Sequence, residues 1–271
     1  MQIKVAAGIL LGLILVSGCA SMKEANKYYK LGMQMYNTDN YDAAIENFNR
    51  AIELRSDQGP FYEKRGLARE KKGDLDGAIA DYNSAVRLEP ENSNYYELVV
   101  RIKIISKNYE SAITDLKKLI LIKPTYSNYM LLGQLAHEKK DLDGAIAAYD
   151  TAIQLEPDGS IAYFLRGIAK KDKGDDTSAV ADHEKALQVN PGKSLYVYYF
   201  ELAQWKYKIG SMEDTIRYSS EAILLNSKEY NAYIIRAIAK KALGDEDGFR
   251  EDEKTYNKLK KESIHLEKTY H

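Results

Sequence analysis

The chain has 271 residues, 45% hydrophobic and 29% charged, so it carries enough apolar side chain to offset the entropy of ordering and is no disordered tail. Lysine and arginine number 39 against 40 aspartates and glutamates, and the net charge of −1 leaves no cationic excess to neutralise nucleic-acid phosphates or anionic lipid. One cysteine excludes an internal disulfide framework and any CxxC metal or redox site, while 22 tyrosines beside 5 phenylalanines and 1 tryptophan ask for a periodic explanation.

At the N-terminus Lys4 precedes an uncharged apolar run from Val5 to Val16. As a helix the run reaches roughly 18 Å, short of a hydrocarbon core of about 30 Å, so it does not span a bilayer and reads as a secretory signal. It ends in Val16-Ser17-Gly18-Cys19, which resembles the lipobox of bacterial lipoproteins. That resemblance implies a signal peptide over 1–18, diacylglycerol on Cys19 Sγ, a palmitate-type acyl chain on the new amine, and a tether over 19–24. An ordinary signal peptide followed by a chance cysteine, or an uncleaved anchor, is the alternative. Ala20 and Ser21 lack the aspartate that retains Gram-negative members of this class at the inner membrane, so the resemblance implies an outer-membrane lipoprotein facing the periplasm if the source is Gram-negative.

Beyond the tether the chain repeats. Tyr28, Tyr62, Tyr96, Tyr129, Tyr163, Tyr199 and Tyr233 are spaced 34, 34, 33, 34, 36 and 34 residues apart. Number each unit so that this tyrosine is position 4. Position 8 is then Gly32, Gly66, Gly133, Gly167, Ala203 or Ala237, with Val100 the exception, and position 27 is Ala51, Ala85, Ala152, Ala186 or Ala222. Position 24 carries Phe48, Tyr82, Leu116 and Tyr149, and Pro90, Pro124, Pro157 and Pro191 close four units in one phase. Each unit reads as an amphipathic helix A, a turn marked by Gly73-Asp74, Gly174-Asp175 or Gly244-Asp245, and an amphipathic helix B. In such a hairpin, positions 4 and 27, 8 and 24, and 11 and 20 lie at one level, each setting a large side chain against a small one. The position-4 tyrosines are accordingly expected in the core.

This pattern resembles the tetratricopeptide repeat, over nearly all of the chain that follows the tether. The resemblance implies an all-α fold, a right-handed α-solenoid of seven hairpins over 25–263 (25–58, 59–92, 93–125, 126–159, 160–193, 196–229 and 230–263), with a tail over 264–271. Repeat 3 is expected to separate its helices through Val100 and Leu119. Repeat 7, with a polar second helix containing Glu251, Asp252, Glu253, Lys258, Lys260 and Lys261, is expected to cap the array, the alternative being a basic docking patch.

The repeats also supply their own covariation. Position 7 is arginine in repeats 2, 5 and 7 (Arg65, Arg166, Arg236), and position 23 in the same repeats is aspartate (Asp81, Asp182, Asp252). Where position 7 is leucine, position 23 is Asn47, Ala148 or Tyr218; repeat 3, with Val99 and Asp115, breaks the rule. Partly buried ion pairs within each hairpin are expected, with ligand binding by the arginines as the alternative.

His137, His183, His265 and His271 form no HExxH motif and have no neighbouring cysteine, and no GxSxG, SxxK or glycine-rich phosphate loop occurs. Neither enzyme activity nor a metal, cofactor or small-molecule substrate is expected. In the repeat family, helix-A positions 2, 5, 9, 12 and 13 line a concave groove that binds peptides or proteins. Carried over, these positions give Tyr29, Met33 and Tyr36 in repeat 1, Ile161, Phe164 and Ile168 in repeat 5, and Phe200, Gln204 and Tyr207 in repeat 6. The repeat 5 trio is either an exposed apolar patch or a stripe packing helix A against its neighbours. The function implied is a membrane-anchored scaffold for envelope proteins or peptides, of the kind that assists envelope, pilus or secretion assembly. A regulatory subunit of a cell-wall hydrolase or secretion machine is the alternative, and a carbohydrate-binding module a more distant one.

Overall fold

The structure, a computed structural model, describes residues 21–189 and 196–269. Among these every regular element is an α-helix, and the chain divides into two units, Met1–Pro124 and Thr125–His271. The first holds α1 (21–37), α2 (Tyr41–Leu54), α3 (Gly59–Lys71), α4 (Leu75–Leu88), α5 (Ser93–Ile105) and α6 (Tyr109–Ile122). The second holds α7 (Tyr126–Glu138), α8 (Leu142–Leu155), α9 (Ser160–Lys173), α10 (Asp176–Val189), α11 (Tyr196–Lys208), α12 (Met212–Leu225), α13 (Tyr230–Ala242) and α14 (Glu246–Thr269). Odd-numbered helices are the A helices, even-numbered ones the B helices, and within each unit consecutive helices pack into a stack of hairpins.

The turns between A and B share one device. Position 15 is left-handed in all seven hairpins: Gly73, Gly174, Gly210 and Gly244 adopt φ of 81°, 92°, 82° and 83°, and Asp39, Lys107 and Lys140 adopt 57°, 59° and 63°. In five of these hairpins the side chain of the next residue then caps helix B. Asp74 accepts the Gly77 N–H at 2.9 Å, and Asp141 accepts that of Gly144 at 3.0 Å, satisfying amides that the helix itself leaves unpaired.

Helix A meets helix B where position 8 has no side chain. A Cβ on Gly66 would lie 2.6 Å from the Tyr82 ring, and one on Gly32 would lie 2.6 Å from the Phe48 ring. The glycine is a seat for the position-24 ring, and Phe48, Tyr82 and Tyr149 are fully buried there. In repeat 3, where Val100 replaces glycine, Val100, Leu116 and Leu119 are all buried together, so larger aliphatic side chains fill the same layer.

Among the position-4 tyrosines Tyr96 is buried as expected, and the others depart from expectation. The position-27 alanines opposite them are fully buried, yet Tyr62, Tyr163 and Tyr233 are only half-buried. Each lies under the arginine of its own repeat, with Arg65, Arg166 and Arg236 5.6, 5.4 and 5.6 Å from the ring centres. Tyr62 and Tyr233 donate their hydroxyls to the carbonyls of Ser56 and Ser227, both at 3.2 Å. The reason is amphipathic: one edge of the ring covers alanine while the phenol stays at the surface beside a polar partner. In repeat 7 the position-24 residue is Glu253, which is exposed, as are Glu251, Lys258, Lys260 and Lys261, so the outer face of α14 is solvated.

Candidate interaction surface and its ion-pair frame

Three guanidinium groups frame the hairpins. Arg65 donates through Nε to Asp81 Oδ2 at 3.0 Å and through Nη2 to Oδ1 at 2.6 Å. Arg236 makes the same fork to Asp252 at 2.8 and 2.7 Å. Arg166 does so to Asp182, at 2.8 Å through Nε and through a second, shorter bond from Nη2. All three aspartates are buried, and parallel fork geometry satisfies both carboxylate oxygens.

Two further partners extend each fork. Position 11 adds a cation: Arg69 to Asp81 at 2.9 Å, Lys170 to Asp182 at 2.8 Å and Lys240 to Asp252 at 2.9 Å. The remaining Nη1 crosses to position 25 of the preceding repeat: Arg65 to Asn49 at 2.7 Å, Arg166 to Asp150 at 2.6 Å and Arg236 to Ser220 at 3.1 Å. Each clamp therefore ties a hairpin internally and ties it to its predecessor. The same position 11 explains repeat 3, where Lys103 is buried against Asp115 and takes the place of the missing arginine. Burial works against charge on Arg166 and Asp252, yet their partners prevail. Asp182 and Asp150 hold the guanidinium well above its ordinary value, and Arg236 and Lys240 hold the Asp252 carboxyl below its ordinary value. A carboxyl so lowered lends stability that is full above the ordinary carboxylate range and is lost as pH falls through the depressed value.

The clamps leave the A-helix face free of their charges. In the second unit Ile161 is 53% exposed and Tyr207 41%, with Ile168, Phe200 and Gln204 half-buried at other positions of that face. Phe164 is a correction to the exposed patch: it is 7% exposed, stacked at 4.0 Å on Tyr198 of α11. Position 5 of repeat 5 points at the next repeat, and its ring fills that junction. In the first unit Tyr29, Met33 and Tyr36 are half-buried around Ala44, Phe48 and Ala68, with Tyr29 stacked at 5.1 Å on Phe61. Much of their surface is therefore spent inside the unit.

Polar and charged side chains also bridge successive repeats. His137 Nε2 lies 2.8 Å from Asp172, and Lys171 reaches Glu201 at 2.6 Å. Lys208 pairs with Asp176 while its Nζ sits 4.7 Å from the centre of the Trp205 ring. Lys171, Asp172, Asp176, Gln204, Trp205 and Lys208 enclose a depression of about 440 Å³. Among the described residues no group of His, Cys, Asp and Glu side chains could hold a metal ion, and no helix is long and apolar enough to cross a membrane. Cys19 lies outside the described residues.

Two family models match the chain, one described as tetratricopeptide repeat over residues 29–93 and one as TPR repeat over residues 133–174. Both units of the chain thus carry tetratricopeptide repeats. Solved structures agree at the level of fold. The C-terminal part of a TPR repeat-containing protein from Cytophaga hutchinsonii superposes with a TM-score of 0.67 at 20% identity, covering 77% of this chain and 86% of that one. A tetratricopeptide repeat protein from Parabacteroides merdae gives 0.56 at 15%, covering 88% and 93%. YrrB, described as a TPR protein with an unusual peptide-binding site, gives 0.56 at 18%, covering 73% and 100%. No curated protein matches the chain.

Proposed function

We propose that this protein is a non-catalytic scaffold of the bacterial cell envelope, lipid-anchored through Cys19, that holds partner proteins or peptides on the A-helix face of its second unit. The observation that carries the reading is the exposed Ile161 and Tyr207 with half-buried Ile168, Phe200 and Gln204, at positions 2, 5, 9 and 12 of two successive A helices. Apolar side chains in such a row offer anchors to an amphipathic helix or an extended segment, and Gln204 offers a hydrogen-bonding partner to its backbone. YrrB, the structural relative whose description names a peptide-binding site, adds support from the same fold. The twelve apolar residues from Val5 to Val16 and the Val-Ser-Gly-Cys ending support the anchor.

A photo-crosslinking amino acid at position 207, in the full-length protein in intact cells, is expected to form discrete adducts. The same group at Gln188, exposed on α10, is expected to form few. Adducts at 188 and none at 207 would move the binding surface to the B helices. The anchor is tested separately. Labelled palmitate is expected to enter the wild type and to be absent from Cys19→Ala; equal labelling of both, or of neither, removes the lipoprotein reading.

A further inference from the structure

His183 occupies position 24 of repeat 5, where other repeats carry Phe48, Tyr82, Leu116 and Tyr149. It is fully buried, and a Cβ on Gly167 would lie 2.5 Å from its Cδ2, the same seat that receives Phe48 and Tyr82 in their hairpins. Its ring lies 4.9 Å from Phe164 of α9, which in turn stacks on Tyr198 of α11. Around them pack Ala186, Leu165, Ile168, Leu187 and Val197, an apolar junction between repeats 5 and 6.

Neither ring nitrogen of His183 makes a hydrogen bond of ordinary geometry, and the Phe164 backbone is only a weak partner. Tyr82, at the same position in repeat 2, instead donates its hydroxyl to Glu70 at 2.9 Å. Burial keeps the imidazole below its ordinary value; Glu201 on α11, the Phe164 carbonyl and Asp182 on its own helix pull the other way, and Lys171 on α9 adds to the lowering. The anions are already engaged. Glu201 holds Lys171, Asp182 holds Arg166 and Lys170, and Glu184, the next residue on α10, holds Lys206 of α11 at 2.8 Å. A proton on His183 thus introduces a charge that no free carboxylate of the junction receives.

We propose that His183 is an acid-sensitive latch, whose protonation parts the ring stack of α9, α10 and α11 and loosens repeat 6 from repeat 5. Stability held by the neutral ring is full above about pH 6.5 and is lost as pH falls below that, toward the lower value of the folded state. Over that interval one proton raises the unfolding equilibrium constant by up to about tenfold per pH unit.

Trp205, the single tryptophan of the chain, is buried on α11 and reports the junction. In the full-length protein its emission is expected to shift to the red between about pH 7 and pH 5, while helical circular dichroism is retained and urea midpoints fall. His183→Phe, which installs the ring of repeat 1, is expected to remove the shift and the matching part of the urea effect. An equal shift and equal loss in wild type and His183→Phe would overturn the proposal. Should that variant not fold, proton NMR of the wild-type ring, assigned by replacing the other three histidines in turn, decides the matter. Titration clearly below 6.5 supports the latch, and titration at or above 6.5 overturns it.

Discussion

Arg166→Ala is expected to cost about 3–5 kcal/mol of folding free energy, measured by urea denaturation, because it strands Asp182 in the interior with only Lys170 to neutralise it. The loss comes from the abandoned charge more than from the pair itself. Replacing both members by apolar residues of similar volume, Arg166→Met with Asp182→Leu, is therefore expected to recover most of the stability. Asp150→Ala removes only the partner in the preceding repeat, a side chain that is 45% exposed, and is expected to cost under about 1 kcal/mol. A loss for Arg166→Ala no larger than that of Asp150→Ala would show that the buried carboxylate does not depend on its arginine.

Phe164→Ser is expected to be comparably damaging, at about 3–5 kcal/mol, since it empties the space between His183 and Tyr198 and leaves a hydroxyl in an apolar junction. Tyr207→Ser, on the exposed part of the same A-helix face, is expected to leave the urea midpoint within about 0.5 kcal/mol of wild type while abolishing partner crosslinking from neighbouring positions. The contrast separates packing from recognition. Similar stability losses for both variants would mean that Tyr207 belongs to the fold.

The sequence pattern carries the architecture because repetition averages out local ambiguity. A glycine at position 8 facing an aromatic at position 24 recurs often enough to fix which helix faces meet, as Gly66 with Tyr82 and Gly32 with Phe48 do. The fork of Arg65 to Asp81 is legible for the same reason, since arginine and aspartate change together between repeats. What the pattern hides are contacts whose partners vary. Position 25 is Asn49, Asp150 or Ser220 where an arginine reaches it, three residues with nothing in common but a side-chain oxygen. Lys103 escapes notice because it serves Asp115 from four residues beyond the expected arginine position, one helical turn along the same face. Level alone likewise fails to say which edge of a ring faces water, so Tyr62, Tyr163 and Tyr233 look internal on a ladder of indices and are only half-buried in the fold, while Tyr96 is buried as expected. Phe164 shows the limit from the other side: a stripe at i, i+3, i+7 defines one helix face but not what covers it, and Tyr198 covers this one.

The reach of each arginine into the repeat before it makes the hairpins poor interchangeable parts. Unequal recombination, by which such arrays lengthen and shorten, would excise or insert whole units without disturbing the helix register. Charge, however, keeps a record of order. Position 25 of repeat 3 is Lys117, and the repeat that follows it in the sequence carries Leu132 rather than arginine at position 7. Removing repeat 4 would bring Arg166 behind Lys117 in place of Asp150, exchanging an attraction for a like-charge encounter beside a buried carboxylate. A chain that lost or copied hairpins would therefore meet a stability cost at some joints and almost none at others, whatever the protein binds.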